Sequence, residues 1–388
     1  MSTVVFLSVL LAVLGLVHLY LWQRLVRDTS RPGWRRRAAG FGVLAGAVLV
    51  LATVLLSGPL PERYERWLAW PGYLWLGVVF YLLAALLVAE LPVLVGRLVQ
   101  RRAGADPDAP DESRRLLLRR TAAVAAGVVA AGTSGYGVWR AYAPPTVTRL
   151  QVPLRRLDRR ADGLRVAVIA DLHVGPLYGR RQVERVVEIV NSLEPDLVTV
   201  VGDLVSTEVG AVRADAEPLR RMLSRYGTFF VTGNHEYYHG YEEWLEAADD
   251  LGLRVLRNER VEIVHQGGAL DLAGVNDREG SRYDDPPDYA AALGDRDPSR
   301  PVVLLAHQPV QVHRAAEYGV DLQLSGHTHG GQLFPFDALV RLEQPMVSGL
   351  KEIEGTQVYV TDGAGFWGPP MRVGADPDVT LLELRTPR

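Results

Sequence analysis

Leu164-Arg165-Val166-Ala167-Val168-Ile169-Ala170-Asp171-Leu172-His173 is an apolar run that ends in two metal-ligand side chains. A short, continuously apolar run fits a strand buried on both faces, as in a sheet covered by helices. The arrangement recurs down the chain. Residues 197–201 lead into Gly202-Asp203, 228–231 into Gly233-Asn234-His235-Glu236, 302–306 into His307, and 322–324 into Gly326-His327-Thr328-His329. Five strands are therefore expected to bring Asp, Asn and His to one edge of a sheet. These side chains offer only nitrogen and oxygen, a donor set suited to a pair of divalent ions.

Between the runs lie helical patterns. Residues 179–193 carry Val183, Val186, Val187 and Val190 at i, i+3, i+4 and i+7, one face of a helix that Glu194-Pro195 ends. Further helices are expected at 218–223, 241–251 with Gly252 as cap, and 312–318. Strands are expected at 261–265, 269–275, 357–361 and 379–384, and a loop with one short helix at 284–301. Strands alternating with helices predict an α/β domain with helices on both outer faces. Ligands in such folds gather beyond the carboxyl ends of the strands, where the motifs lie.

Taken singly, each motif is weak: a lone His on a strand is usually structural, and Asp after a strand often caps a helix. Five in order, each at a strand end, form a metal constellation. If the segment is extended, Asp171 and His173 point the same way and bind one ion. Asp203 has two carboxylate oxygens, which suits a bridging ligand. Asn234 offers an amide oxygen. His327 and His329 could serve one ion or two, and His307 completes the set.

The series Asp-x-His, Gly-Asp, Gly-Asn-His-Glu, a lone His and Gly-His-x-His resembles that of the calcineurin-like metallophosphoesterases, over about residues 163–388. Residues 319–332 and Phe366-Trp367-Gly368-Pro369-Pro370-Met371-Arg372 resemble its bacterial membrane-linked, YkuE/YaeI-like branch. The resemblance implies a four-layer α/β/β/α sandwich holding two divalent ions, manganese, iron or zinc. One ion would take Asp171, His173, Asp203 and His329. The other would take Asp203, Asn234, His307 and His327, with Asp203 bridging. His235 would be no ligand but would assist the leaving group as a metal-bound hydroxide attacks phosphorus. Glu236 is a candidate to orient His235. His239 and Arg372 are candidate substrate contacts, and Asn276 and Asp277 candidate cleft residues. His265 and His313 carry no motif and read as structural.

The first 142 residues are of another kind. Apolar stretches at 3–22, 38–57, 70–95 and 121–139 each approach the length that crosses a bilayer, with aromatic residues at their edges. They read as an all-α membrane domain, 1–142, joined by a linker, 143–162, to the α/β domain, 163–388. His18 sits near the end of its span and reads as reaching the interface. Glu90 is the one charge inside a stretch. The spans show no paired internal charges or repeats, which argues against a transporter.

Arginines crowd the first connector (Arg24 to Arg37) and the third (Arg97 to Arg120), and the second is balanced. The positive-inside rule puts the α/β domain on the extracytoplasmic side of a multi-pass membrane protein. Residues 113–119 also resemble a twin-arginine export signal, though an ordinary basic anchor explains them better, because three spans precede them and such signals usually sit at the extreme amino terminus.

There is no cysteine, which excludes thiolate metal sites and thiol nucleophiles. The formal charge of −3 hides a split: 16 Arg against 8 Asp/Glu up to residue 142, and 26 Lys/Arg against 37 Asp/Glu beyond it. The acidic half is a poor nucleic-acid platform. The function expected is a membrane-anchored, dinuclear-metal phosphohydrolase, acting on a phosphodiester, phosphomonoester or pyrophosphate that is lipid-linked or in the envelope. The competing expectation is a non-catalytic metal-binding module that recognises an envelope polymer.

Overall fold

The structure, a computed structural model, describes residues 3–57, 60–102 and 112–387. Two compact units are present. One holds Met1–Val138 and Gly368–Pro370; the other holds Trp139–Trp367 and Met371–Arg388.

The first unit contains helices α1 (Thr3–Leu21), α2 (Trp34–Leu56), α3 (Glu62–Arg102) and most of α4 (Glu112–Ala141). A π-helical turn, Trp22–Arg27, extends α1. Within them, four segments are long and apolar enough to cross a membrane: Leu7–Arg27, Trp34–Leu56, Tyr64–Leu91 and Leu116–Ala141. Their apolar side chains point outward, with Leu16, Phe41, Val88 and Val128 among the exposed residues, as lipid-facing helices require. Polar contacts join α1 and its π turn to α3. Trp75 Nε1 donates to His18 Nε2 at 3.3 Å, while His18 Nδ1 lies 2.9 Å from Leu14 O. Arg24 Nε lies 2.7 Å from Glu90 Oε1, and Tyr20 OH also donates to Glu90. The expectation that the spans lack paired charges is thereby corrected. The sequence hid the pair because Arg24 reads as a connector residue until the π turn carries it beside Glu90. Residues 103–111 of the third connector lie outside the described residues.

The second unit is built on two six-stranded sheets. Strands β1 (Thr146–Pro153), β2 (Leu164–Ile169), β3 (Leu197–Val201), β4 (Thr228–Val231), β5 (Leu253–Val255) and β12 (Asp378–Arg385) form the first, in order β1-β12-β2-β3-β4-β5. Strands β6 (Glu259–His265), β7 (Gly268–Gly274), β8 (Val302–Leu305), β9 (Leu322–Ser325), β10 (Gly349–Ile353) and β11 (Thr356–Val360) form the second, in order β10-β11-β9-β8-β7-β6. Both sheets have parallel centres, β2-β3-β4-β5 and β7-β8-β9-β11. Helices α5 (Arg180–Ser192), α6 (Val209–Ala216), α7 (Asn234–Tyr238), α8 (Tyr241–Asp250), α9 (Tyr289–Leu293), α10 (Val312–Glu317) and α11 (Asp337–Val340) complete the unit.

Strand periodicity builds the layers. Val166, Val168, Leu197, Val201, Phe229 and Val231 meet Leu270, Leu272, Val303, Leu305, Leu322 and Leu324 between the sheets. The alternate residues Ala167, Ile169, Val198, Val200 and Phe230 face α5, α6 and α8. On the far side, Ala273, Val302, Leu304 and Ala306 pack with α9 and Ala315 of α10. Successive side chains point to opposite faces, so each central strand must be apolar on both. The expected four-layer α/β/β/α sandwich is the architecture found. The valine face of α5 is buried at all four positions.

Three local expectations change. The helix expected at 218–223 is a 3₁₀ turn, Glu217–Arg221, and α6 precedes it. The stretch 143–162 is not a free linker. It holds β1, paired in parallel with β12, and Val152, Leu154, Leu157 and Ala161 close the inter-sheet core. The outer part of β1 is solvated, so its sequence lacks the apolar run that marks central strands. The ligand-bearing strands belong to two sheets, not one: β2, β3 and β4 to the first, β8 and β9 to the second.

Candidate metal centre

Each candidate side chain stands two to four residues past a strand end, where the chain leaves the ladder. Asp171, His173, Asp203, His327 and His329 all have positive φ, between 49° and 70°. This region is costly for residues with a Cβ, and such strain clusters at functional sites. Asp171 and His173 therefore converge through left-handed turns, not through the extended period of two that the sequence suggested.

The convergence is close. Asp171 Oδ1 lies 3.4 Å from His329 Nε2 and 4.0 Å from His173 Nε2. The two imidazole Nε2 atoms are 2.9 Å apart. Asp203 Oδ2 lies 3.3 Å from His307 Nε2 and 3.6 Å from His173 Nε2. The rings of His307 and His327 are 5.1 Å apart. Three groups could each hold a metal ion, with ligand atoms within 4.8 Å of one another: Asp171, His173, His329; His173, Asp203, His235; and Asp203, His307, His327. Asp203 belongs to two of them.

Glycine makes this packing possible. A Cβ at Gly233 would stand 2.2 Å from Asp203 Oδ1, and one at Gly326 would stand 2.3 Å from Asp171 Oδ2. Outer contacts aim the ligands. His173 Nδ1 lies 2.9 Å from Ser206 Oγ, and His307 Nδ1 lies 2.8 Å from Val201 O. The His327 backbone N–H donates to both Asp171 oxygens at 3.0 Å. The His235 N–H donates to Asp203 Oδ1 at 2.9 Å.

Glu236 is fully buried and does not bond His235. Its carboxylate accepts from Gly233 N at 2.6 Å, Leu204 N at 2.8 Å and Asp203 N at 3.0 Å. It therefore binds the Gly-Asp turn to the Gly-Asn-His turn.

The electrostatics call for cations. Burial raises Asp171, with Asp203 adding to the effect. Burial also opposes ionisation of Asp203, but His307 and His235 hold it well below the usual carboxylate range. Burial would lower His307, yet Asp203, Asp171 and Asp277 hold it well above an ordinary imidazole. Burial, then its histidine neighbours and Arg372, keep His173 and His329 neutral. Burial, then His307, pushes His327 down to about 3. Neutral His173, His327 and His329 beside ionised Asp203 are in the state a metal binds, and an ion would displace the protons that burial and pairing hold on Asp171 and His307. Asn234 Oδ1, His307 Nε2 and His235 Nδ1 are buried without a hydrogen-bond partner, and buried polar atoms normally find one. The residues fit a metal centre.

Other expected residues lie around it. The His235 ring is 4.4 Å from that of His173 and 5.8 Å from that of half-buried His239. Burial lowers His239 to about 4. Asn276 and Asp277 are buried braces: Gln308 Nε2 donates to both Asp277 oxygens at 3.0 Å, and Asn276 Nδ2 donates to Asp285 O. His265 meets Tyr226, and His313 meets Glu354.

Arg372 corrects an expectation. It has no exposed surface, and its guanidinium is spent on Gly363, Gly365 and His329, so no phosphate oxygen reaches it. No motif marks Ser206, whose hydroxyl meets His173 Nδ1. A serine three residues past Asp203 is unremarkable until the turn brings it onto His173.

The profile of the calcineurin-like phosphoesterase family matches residues 164–331. A transmembrane protein with metallophosphoesterase domain from Danio rerio is 35% identical, over 98% of this chain and 89% of its own. An uncharacterised metallophosphoesterase of Campylobacter jejuni is 31% identical over 99% of both chains. The uncharacterised metallophosphoesterase YkuE of Bacillus subtilis is 28% identical, over 71% of this chain and 98% of its own. With buried Asp and His clusters at the ends of two facing sheets and relatives that match nearly end to end, the chain belongs to the calcineurin-like phosphoesterase family, metal-dependent hydrolases of phosphoric esters.

Proposed function

We propose that this protein is a dinuclear-metal phosphohydrolase, anchored in the membrane, whose α/β unit works on the extracytoplasmic side on a lipid-linked or envelope phosphate ester. The observation that carries the reading is the position of Asp203 Oδ2, within 3.6 Å of imidazoles from both ligand clusters. One ion would be held by Asp171, His173, Asp203 and His329. The other would be held by Asp203, Asn234, His307 and His327. Bound there, two divalent ions supply Lewis acidity and a water acidified toward neutral pH.

The protein's own groups do the rest. His235 sits beside His173 at the edge of the cluster, partly exposed and with a free Nδ1. It donates a proton or hydrogen bond to the departing oxygen. Glu236 and the His235 N–H hold Asp203 still. Arg278 replaces Arg372 as the cation that meets the substrate. Its guanidinium is half exposed, only 3.4 Å from Gln308 Oε1 and 3.7 Å from Glu343 Oε1. Those contacts are longer than charge-assisted bonds usually are, which leaves it free to turn to an anion. His239, half-buried with its ring 5.8 Å from that of His235, is a second candidate contact.

The test is hydrolysis of a chromogenic phosphodiester by purified full-length protein loaded with manganese, iron or zinc, followed by lipid-linked and soluble phosphate esters. Asp203→Asn is expected to lose metal and activity together. Hydrolysis by that variant at the wild-type rate rejects the bridging role. A wild-type protein that binds metal and cleaves none of these esters is a binding module instead.

A further inference from the structure

Arg372 is a buried cation with no acid in bonding contact. Its Nε donates to Gly365 O at 2.9 Å, Nη1 to His329 O at 2.7 Å, and Nη2 to Gly363 O at 3.0 Å and Gly365 O at 2.5 Å. Nη2 also lies 3.2 Å from His329 Nδ1. Burying a charge is costly unless hydrogen bonds replace its water. Here three backbone carbonyls do so, and they come from two segments that must meet for the cluster to form.

The first segment is the tail after β11. Gly365 N donates to Asp171 O at 2.9 Å, and a Cβ at Gly363 would stand 2.7 Å from Asp171 Cβ. The second is the His-x-His turn, in which His327, His329, Gly330 and Gly331 all have positive φ. A turn so far from ordinary backbone needs outside bonds to persist. Arg372 supplies one at the His329 carbonyl.

The same group packs beside the ring, with Nη2 3.2 Å from His329 Nδ1. The outer nitrogens of His173 and His307 face Ser206 Oγ and Val201 O. A neutral His329 that offers its Nε2 lone pair to an ion carries its proton on Nδ1. Arg372 therefore holds this histidine through its carbonyl and by packing on the ring, with Nε2 facing Asp171 and His173. The charge of Arg372 bears on Asp171, His173 and His329 together.

We infer that Arg372 is the positioning residue of the Asp171, His173 and His329 cluster: it locks the His-x-His turn and the His329 ring to the C-terminal tail, so that ion binding at this cluster depends on that tail. The inference rests on reading the clusters as two ion sites. The Asp203, His307 and His327 cluster makes no hydrogen bond to Arg372 and binds its ion without it.

The test uses full-length protein in detergent, stripped of metal and titrated with Mn2+, for the wild type, Arg372→Met and Arg372→Lys. Bound ions are counted by equilibrium dialysis, and electron paramagnetic resonance separates a coupled pair of ions from a lone one. In Arg372→Met one of the two ions is expected to bind at least about tenfold more weakly, a typical effect of losing an outer partner, with the coupled spectrum replaced by that of a single ion. Arg372→Lys restores the cation with fewer bonds and is expected to recover part of the loss. Two ions bound as in the wild type in Arg372→Met, or in Arg372→Lys where that variant alone folds, overturns the inference. Equal loss of both ions in the Lys variant, with its thermal transition intact, also overturns it. If Arg372→Met does not fold, the Lys variant decides alone. A wild type that binds a coupled pair but cleaves no phosphate ester removes the hydrolase reading and leaves this inference standing.

Discussion

At the scale of single residues, the groups of the centre can be tested one at a time. His235 is the case with the clearest kinetic signature. It touches the cluster from outside, and its Nδ1 has no protein partner. His235→Ala is expected to keep the bound metal and lower turnover by roughly 10²–10⁴-fold, the usual worth of a positioned acid. The loss should be smallest with a good leaving group such as p-nitrophenolate. Steady-state rates on two esters of different leaving-group pKa check this.

Asp277, which is not itself a candidate ligand, offers a pH test. Burial raises its carboxyl to about 6 from 3.8, with His307 opposing. The fold thus holds that proton more tightly than the unfolded chain does. Its contribution to stability is fully present below pH 3.8 and is lost as pH rises through 6. Asp277→Asn is expected to remove that slope, by about 3 kcal/mol at most at 1.36 kcal/mol per unit. Thermal midpoints of metal-free protein across this range would show it. An unchanged slope would reject it.

At the scale of elements, the site is a set of strand-to-turn junctions packed so tightly that side-chain volume is excluded. Gly233 links β4 to α7 with φ −102°, a backbone any residue adopts. Its constraint is space alone, since an added Cβ would overlap Asp203. Gly233→Ala is expected to push Asp203 aside and weaken metal binding at least about tenfold, at a stability cost of about 1–3 kcal/mol from overpacking. Metal titration together with the thermal midpoint distinguishes a displaced ligand from general unfolding. Boundaries of the central elements were legible in the sequence because β2, β3, β4, β8 and β9 are apolar on both faces. Strands β1 and β10 escaped notice for the opposite reason. They are edge strands whose outer residues are solvated, so neither carries a run or an alternation strong enough to read.

At the scale of the whole molecule, two units of different physics share one chain. One is a set of apolar helices with outward-facing Leu, Val and Phe; the other is an acidic sandwich whose polar centre is buried. The arginine bias of the connectors supports an extracytoplasmic sandwich. Because the chain has no cysteine, a single exposed Ser299→Cys reports the side directly. A membrane-impermeant maleimide added to intact cells is expected to label it. Labelling only after the membrane is opened would place the sandwich in the cytoplasm and remove the envelope substrates from consideration.

The sequence by itself determined the α/β class, the apolar segments long enough to span and the Asp, Asn and His candidates at strand ends, because burial demands apolar runs of fixed period and metal chemistry demands particular donors. Tertiary structure alone decided which donors meet. The five motifs come from two sheets, and the ligand turns are left-handed instead of extended. Arg24 finds Glu90 only through a π turn, and Glu236 clasps backbone instead of His235. Arg372 faces inward to a histidine instead of outward to a phosphate. Pattern and composition record which side chains avoid water. They do not record the angle at which a strand leaves its ladder, and that angle sets every distance in the centre.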